Sequence, residues 1–402
     1  MAKLIDITGK CLSGEWGQDD NDGTGIPVLR TTNFTNDGVV SYASVVTRQI
    51  NKRNLETKYL RNGDIIIEKS GGSDNQPVGR VVYFEGEENK YLFNNFTGLL
   101  RVENHNMWIP KYVFYALFAN YHRGGTRPFE NKTTGLHNLK TDSYLSSVEI
   151  RDVSYDEQCR IVDQLDKIAH LISLRKQQVK ELDNLVKSRF IELFGDPISN
   201  PMGLPVKTLK QLSVLITNGN TPKGGSENYV YDGILFIRSQ NVWRNRIDLD
   251  DVAFIDADTH KSMKKSSVKH KDILITKTGR INTENSSLGR AALYMGADDS
   301  ANINGHVYLV RLDGSVIPEY VITILTSEAY RKYIRKVCVG GIDKRQINLD
   351  QVEDFPIILP PIKDQTAFAA FVEQTDKLKL AVQEALAELE TLKKSLMQQY
   401  FG

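Results

Sequence analysis

The sequence predicts an α+β chain assembled twice over. Two similar globular α/β domains are joined and separated by two long helices that pair as an antiparallel coiled coil, a pseudo-two-fold internal duplication. Three observations predict this. Five segments recur in the same order at nearly one offset. Two forty-residue segments carry a heptad rhythm with no internal proline or glycine. Short Ile-rich runs bounded by Gly, Ser and Asn read as strands within each half.

The recurrence fixes the order of elements. Gly25-Ile26-Pro27-Val28-Leu29-Arg30-Thr31-Thr32-Asn33 returns as Gly233-Ile234-Leu235-Phe236-Ile237-Arg238-Ser239-Gln240-Asn241, 208 residues on. Asp64-Ile65-Ile66-Ile67-Glu68-Lys69-Ser70-Gly71 returns at the same offset as Asp272-Ile273-Leu274-Ile275-Thr276-Lys277-Thr278-Gly279. Gly79-Arg80 matches Gly289-Arg290, and Ile109-Pro110-Lys111-Tyr112-Val113 matches Ile317-Pro318-Glu319-Tyr320-Val321. Pro110 and Pro318 are expected at a first helical position, where a missing N–H costs little. Gln158–Gly195 and Gln365–Gly402 match without a gap.

The predicted long helices are Asp156–Gly195 and Lys363–Gly402. In the first, Ile161, Leu165, Ile168, Ile172, Val179, Leu182, Val186 and Leu193 fall on alternating steps of four and three, with Arg175 and Arg189 filling the gaps. In the second, Phe371, Leu378, Val382, Ala385, Leu389, Leu392 and Leu396 follow the same rhythm, interrupted by Thr375. Such a stripe must be buried, and its duplicate is the available partner. Forty helical residues span ~60 Å, whereas the linker Asp196–Pro205 reaches at most ~35 Å, so antiparallel pairing is favoured. The predicted domains are 1–155, the helix 156–195, 196–360 and the helix 361–402.

Composition excludes several classes. The chain has 402 residues, enough for more than one core. Its net charge is +1, which rules out a uniformly basic coat and leaves local basic surfaces. Cys11, Cys159 and Cys338 are odd in number and far apart, against a disulfide scaffold or zinc site. No apolar run is long enough for a membrane span and no signal core opens the chain, so no membrane association and a cytoplasmic location are expected.

Catalytic signatures are not found. There is no H-E-x-x-H, G-x-S-x-G or G-x-G-x-x-G. Gly63–Ser70 has Glu68 where a phosphate loop needs glycine. Asp64, Glu68 and Lys69 suggest a metal-dependent nuclease, but Glu68 and Lys69 are adjacent and would face opposite sides of a strand. No metal site, bound cofactor or catalytic residue is expected.

What recurs is binding chemistry. Arg30, Thr31, Asn33, Lys69, Ser70 and Arg80 in the first half, and Arg238, Ser239, Asn241, Lys277, Thr278, Arg280 and Arg290 in the second, are cations and short polar groups at strand ends. Such groups contact phosphates, and Arg and Asn also read base edges bidentately. A solvated loop or a fold-specific turn would use the same residues. Basic residues gather in both halves, among them Lys261–Arg280 and Arg331–Arg345.

With these residues in place, the sequence resembles the specificity subunit of type I restriction–modification enzymes over essentially its whole length. The motifs are Leu193-Phe194-Gly195-Asp196-Pro197 closing the middle helix, Leu359-Pro360-Pro361-Ile362-Lys363-Asp364-Gln365 opening the last, and Gly63–Ile67 with Lys271–Ile275. Val153-Ser154-Tyr155-Asp156-Glu157-Gln158 keeps the Glu-Gln start but lacks the Pro-Pro pair. The resemblance implies two target recognition domains, each reading half of a split, asymmetric double-stranded DNA site, with the helices setting the spacing. It implies a non-catalytic subunit holding two methyltransferase subunits that use S-adenosylmethionine, and two restriction subunits that use ATP with magnesium. The alternative is a coiled-coil adaptor that spaces two protein-binding domains.

Overall fold

The structure, a computed structural model, describes residues 1–132, 136–222, 224–283 and 285–402. The chain divides into two units, Met1–Lys176 with Glu384–Gly402, and Gln177–Gln383.

In the first unit a four-stranded antiparallel sheet is ordered Leu12–Ser13, Thr97–Leu100, Ile65–Glu68, Val81–Tyr83. A second sheet is ordered Gln18–Asp19, Val46–Gln49, Ile26–Leu29, Leu92–Phe93, its last pair parallel. A third joins Glu130–Asn131, His137–Leu139 and Ser70–Gly72. Ala2–Lys3 pairs with Glu149–Ile150. The Ile-rich strand Ile65–Glu68 is buried along its length because it is central in its sheet.

The second unit repeats this plan. Its four-stranded sheet is ordered Ser213–Asn218, Val307–Leu312, Ile273–Thr276, Ala291–Leu293. Ala253–Ile255, Ile234–Ile237 and Ala301–Ile303 form the sheet with one parallel pair. Thr278–Arg280, Lys344–Gln346 and Val339–Gly340 form the third, and Val206–Thr208 pairs with Pro356–Ile358.

Helices Pro110–His122 and Pro318–Thr326 begin at their prolines. Each is tied to the start of a long helix by one buried glutamine. Gln158 Oε1 accepts from Ile109 N at 2.9 Å while its Nε2 donates to Met107 O and Val153 O. Gln365 Oε1 accepts from Ile317 N at 3.1 Å and its Nε2 donates to Pro360 O. The glutamine therefore sets the entry of both helices, and the Pro-Pro pair missing before the middle one is not needed for that contact.

The long helices are Tyr155–Phe194 and Ile362–Phe401, each 40 residues and each starting and ending one residue earlier than expected. Gly195, at φ +74, stops the first. Within each unit the helical segments run antiparallel. In the first, Gln164 meets Tyr400 and Lys176 lies 3.5 Å from Glu390. In the second, Asp183 lies 2.6 Å from Lys379 and Phe190 packs on Phe368. Partner numbers fall as helix numbers rise.

The cores run without a break from sheet to helix tip. Ile161, Leu165, Met397, Tyr400 and Phe401 join Ile65, Ile67, Val81 and Tyr112. Phe190, Phe194, Phe368 and Val372 join Ile273, Ile275 and Tyr320.

The seam of the middle helix uses Ile161, Leu165, Ile168 and Ile172, all buried, then Val179, Leu182 and Val186, half-buried. Leu193 is exposed, and Phe190 and Phe194 take the last positions. The seam of the last helix is Phe368, Val372, Thr375, Lys379, Val382, Leu386, Leu389, Lys393, Leu396 and Tyr400. The expected Leu378 and Leu392 are instead 56% and 47% exposed, and Phe371 sits half-buried at the margin. Every second seam position lies one residue beyond the expected one, at Val372, Lys379, Leu386 and Lys393 in place of Phe371, Leu378, Ala385 and Leu392. Two of those positions hold lysine, Lys379 and Lys393, whose long stems are apolar. Lys379 Nζ reaches Asp183, and Lys393 Nζ lies 5.3 Å from the Phe118 ring centroid. Among the described residues, no helix is long and apolar enough to cross a membrane.

Candidate nucleic-acid interface

The residues predicted to bind separate into two groups in each domain. The first follows strands Ile26–Leu29 and Ile234–Ile237. Asn33 Oδ1 accepts from Arg30 N at 2.9 Å, and its Nδ2 donates to Ser41 O and Ala43 O. Asn241 does the same with Arg238 N, Asp248 O and Asp251 O. Both asparagines are buried and their hydrogen-bonding groups are used within the fold. They hold a turn, a structural role for both residues. The signal was the repeat itself, since a turn duplicates as faithfully as a site.

Arg30 Nη2 donates to Ser44 O at 3.2 Å and Arg238 Nη2 to Asp251 O at 2.7 Å. Thr31, half-buried, gives its carbonyl to Arg80 Nη2 at 2.9 Å, and Ser239 is half-buried at the matching place.

The repeated arginine Arg80/Arg290 is likewise structural. Arg80 donates to Phe34 O and Thr31 O, lies over the Phe34 ring and faces the Glu68 carboxylate at 3.4 Å. Burial pushes the Glu68 carboxyl above its ordinary value, against the opposing pull of Arg80. Arg290 is buried, donates to Ser286 O and Asn285 O, and stacks 3.9 Å from the Trp243 centroid. Both arginines are bonded to their own chain.

The second group lies at the third sheet. Lys69 Nζ donates to Ser13 Oγ at 2.9 Å, and Ser70 Oγ donates to Asn138 Oδ1 at 2.5 Å. In the second domain Thr278 pairs with Gln346, Gly279 with Arg345 and Arg280 with Lys344. Lys277, half-buried, lies 5.8 Å from the Tyr308 ring centroid, while the Arg280 side chain is 70% exposed. This antiparallel ribbon sets Arg280 and Lys344 opposite each other on one face, a cationic pair suited to phosphate, while Arg345 projects from the other face.

Two further arrangements lie outside the predicted binding residues. Asp64 binds Arg101 bidentately at 2.7 Å, and Asp272 binds Arg311 at 2.9 and 2.6 Å. These buried carboxylates also accept from Arg61 N and Lys269 N, so they brace loops. The other is the hairpin Val242-Trp243-Arg244-Asn245-Arg246-Ile247, where Trp243 stacks on Arg290 and lies 5.3 Å from the Arg246 guanidinium. Desolvation, then Arg244 and Arg246, lowers the Arg290 pKa. The first domain has Thr35-Asn36-Asp37-Gly38 in the matching stretch, so the two domains present different surfaces on one framework. Among the described residues no three His, Cys, Asp or Glu side chains gather as a metal site.

Comparison with known proteins agrees with this architecture. The model of the type I restriction modification DNA specificity domain matches residues 1–184 and again 202–391. The StySPI specificity subunit of a type I restriction enzyme from Salmonella potsdam is 23% identical over 399 residues, covering 94% of this chain and 81% of that protein. The EcoKI specificity subunit from Escherichia coli K12 is 22% identical over 402 residues, covering 94% and 82%. The S subunit of a type I system from M. genitalium shares the fold with a TM-score of 0.56 at 14% identity, covering 100% of this chain and 95% of that one. A chain from a type I restriction–modification assembly shares it with a TM-score of 0.54 at 15% identity, covering 100% and 96%.

Proposed function

The chain belongs to the type I restriction–modification DNA specificity family, and on that premise we propose that each of its two domains reads one half of a bipartite, asymmetric DNA site. The chain is the recognition subunit and not itself an enzyme. The long helices set the number of unread base pairs between the half-sites and dock two methyltransferase subunits. Those subunits bring S-adenosylmethionine, and two restriction subunits bring ATP with magnesium. The assembly works in the cytoplasm, where its DNA lies.

The observation that carries this reading is one framework used twice with different surfaces. The Gln158/Gln365 ties, the Asp64–Arg101 and Asp272–Arg311 pairs and the third sheets are duplicated. The residues displayed differ, with Thr35–Gly38 against Trp243–Arg246. Two different readers on a common frame suit a site with two unlike halves.

The experiment is to express the chain with the methyltransferase of its own system and map methylated adenines across a genome. A split motif with a constant gap is expected; unspaced or random methylation would refute the assignment, and DNA-independent protein binding would favour an adaptor. Inserting one heptad into both long helices should lengthen the gap and leave both half-sites unchanged. An unaltered gap would remove the helices from the spacing role.

A further inference from the structure

The third sheet of the second domain carries an apolar side chain where solvent should be met by polar ones. Ile342 is 90% exposed, at the turn between Val339–Gly340 and Lys344–Gln346. The turn is held on both sides of it. Arg345 Nε donates to Gly341 O at 3.1 Å, Ile281 N donates to Asp343 O at 2.9 Å, and the Asp343 carboxylate faces Arg280 Nε at 3.4 Å. A β-branched side chain has few rotamers, so the projection is stiff as well as apolar.

Its surroundings select the partner. Gly340, Gly341, Asp343 and Lys344 flank it, and Val339, 39% exposed, is the other exposed apolar residue of this hairpin, so the apolar tip is small. That is far too small to hold a protein interface. It matches the aliphatic wedges that proteins drive between stacked base pairs. Behind the tip, Arg280 lies across from Lys344 on one face of the ribbon, and Arg345 projects from the other face, across from Gly279. An apolar point on a cationic ribbon complements a polyanion with a stacked apolar interior, which is duplex DNA.

We infer that Ile342 enters the base stack at one step of the half-site read by the second domain, with the ribbon cations on the flanking phosphates. The inference rests on the DNA-reading role proposed above and adds a mode of reading: a step that unstacks readily is preferred even where no polar group touches its bases.

The test uses the full-length chain in complex with its methyltransferase subunits. The probes are duplexes carrying the mapped bipartite site, with 2-aminopurine placed in turn at each position of the second half-site. The wild type should raise the fluorescence severalfold at one position. Ile342→Ser should abolish that rise and weaken binding about tenfold, the loss expected for one aliphatic side chain returned to water. Ile342→Leu should keep both. Neither variant should move the thermal midpoint, because Ile342 packs on little of its own chain. The wedge is overturned if the specifically bound wild type leaves every probe quenched, or if Ile342→Ser unstacks and binds as the wild type does. If the wild type does not prefer the mapped site to a scrambled duplex, the DNA-reading proposal fails and the wedge fails with it.

Discussion

The ring of Phe401 meets that of Tyr112 tilted at 52° with centroids 5.3 Å apart, and Phe194 meets Tyr320 edge-on at 5.2 Å. In each unit the tyrosine of the Ile-Pro-x-Tyr helix receives the phenylalanine that ends a long helix. In the first unit that helix is the last one, and in the second it is the middle one. Phe401→Ala should cost about 3–5 kcal/mol, the usual loss for a buried aromatic ring. Hydrogen exchange should show lost protection in Pro110–His122 and none in Pro318–Thr326. Phe194→Ala should give the reverse pattern. Equal loss in both helices from either variant would show that the pairing does not divide in this way.

Gln158 and Gln365 are each buried with both ends of the amide bonded to backbone. Gln158→Ala leaves Ile109 N, Met107 O and Val153 O without their side-chain partner, which should cost about 2–3 kcal/mol. Gln365→Ala should cost a similar amount. They share no partner, so the double variant should be additive within about 0.5 kcal/mol in urea unfolding. Strong non-additivity would mean that the two ties are coupled.

Much of this was legible before the structure. The offset of 208 residues predicts one fold used twice, because chance does not repeat five segments in order. The strands at Ile65–Glu68 and Ile273–Thr276 follow from short β-branched runs between turn residues. The last seam was misread because a heptad is found by apolar residues, and Lys379 and Lys393 are apolar only along their stems. The candidate interface was half legible for a related reason. Repetition marks whatever both domains need, and both need Asn33/Asn241 and Arg80/Arg290 to hold turns. Reading different sequences demands residues that do not repeat, so Trp243, Arg246 and Ile342 carried no such mark.

Lys393 offers a test of the seam. Its ammonium is partly desolvated against Phe118, and burial lowers its pKa, helped by Lys176 and opposed by Asp37, Glu390 and Asp166. Lys393→Met keeps the stem and removes the charge. It should raise the thermal midpoint near neutral pH by about 2–4 °C, equivalent to about 1 kcal/mol. The folded pKa lies below the unfolded one, so between them the unfolded chain holds the extra proton. Wild-type stability therefore rises with pH across that alkaline window, and the advantage of the variant should shrink there. An advantage that is constant with pH would assign the gain to packing alone.

The ribbon cations and the buried arginine should separate cleanly in DNA binding. Arg280 is largely exposed and Lys277 half-exposed, whereas Arg290 is spent on Ser286 O, Asn285 O and Trp243. Replacing Lys277 and Arg280 with Ala should weaken binding at physiological salt. The slope of log affinity against log salt should fall by about one for each cation that neutralises a phosphate. The thermal midpoint should hardly change. Arg290→Ala should instead unfold the second domain at lower temperature, because it strips Trp243 of its stacked partner and leaves two carbonyls without a donor. The salt slope of the protein that stays folded should match the wild type. A Lys277/Arg280 variant with wild-type affinity and slope would take the ribbon off the DNA, and a reduced slope for Arg290→Ala would put that arginine back on it.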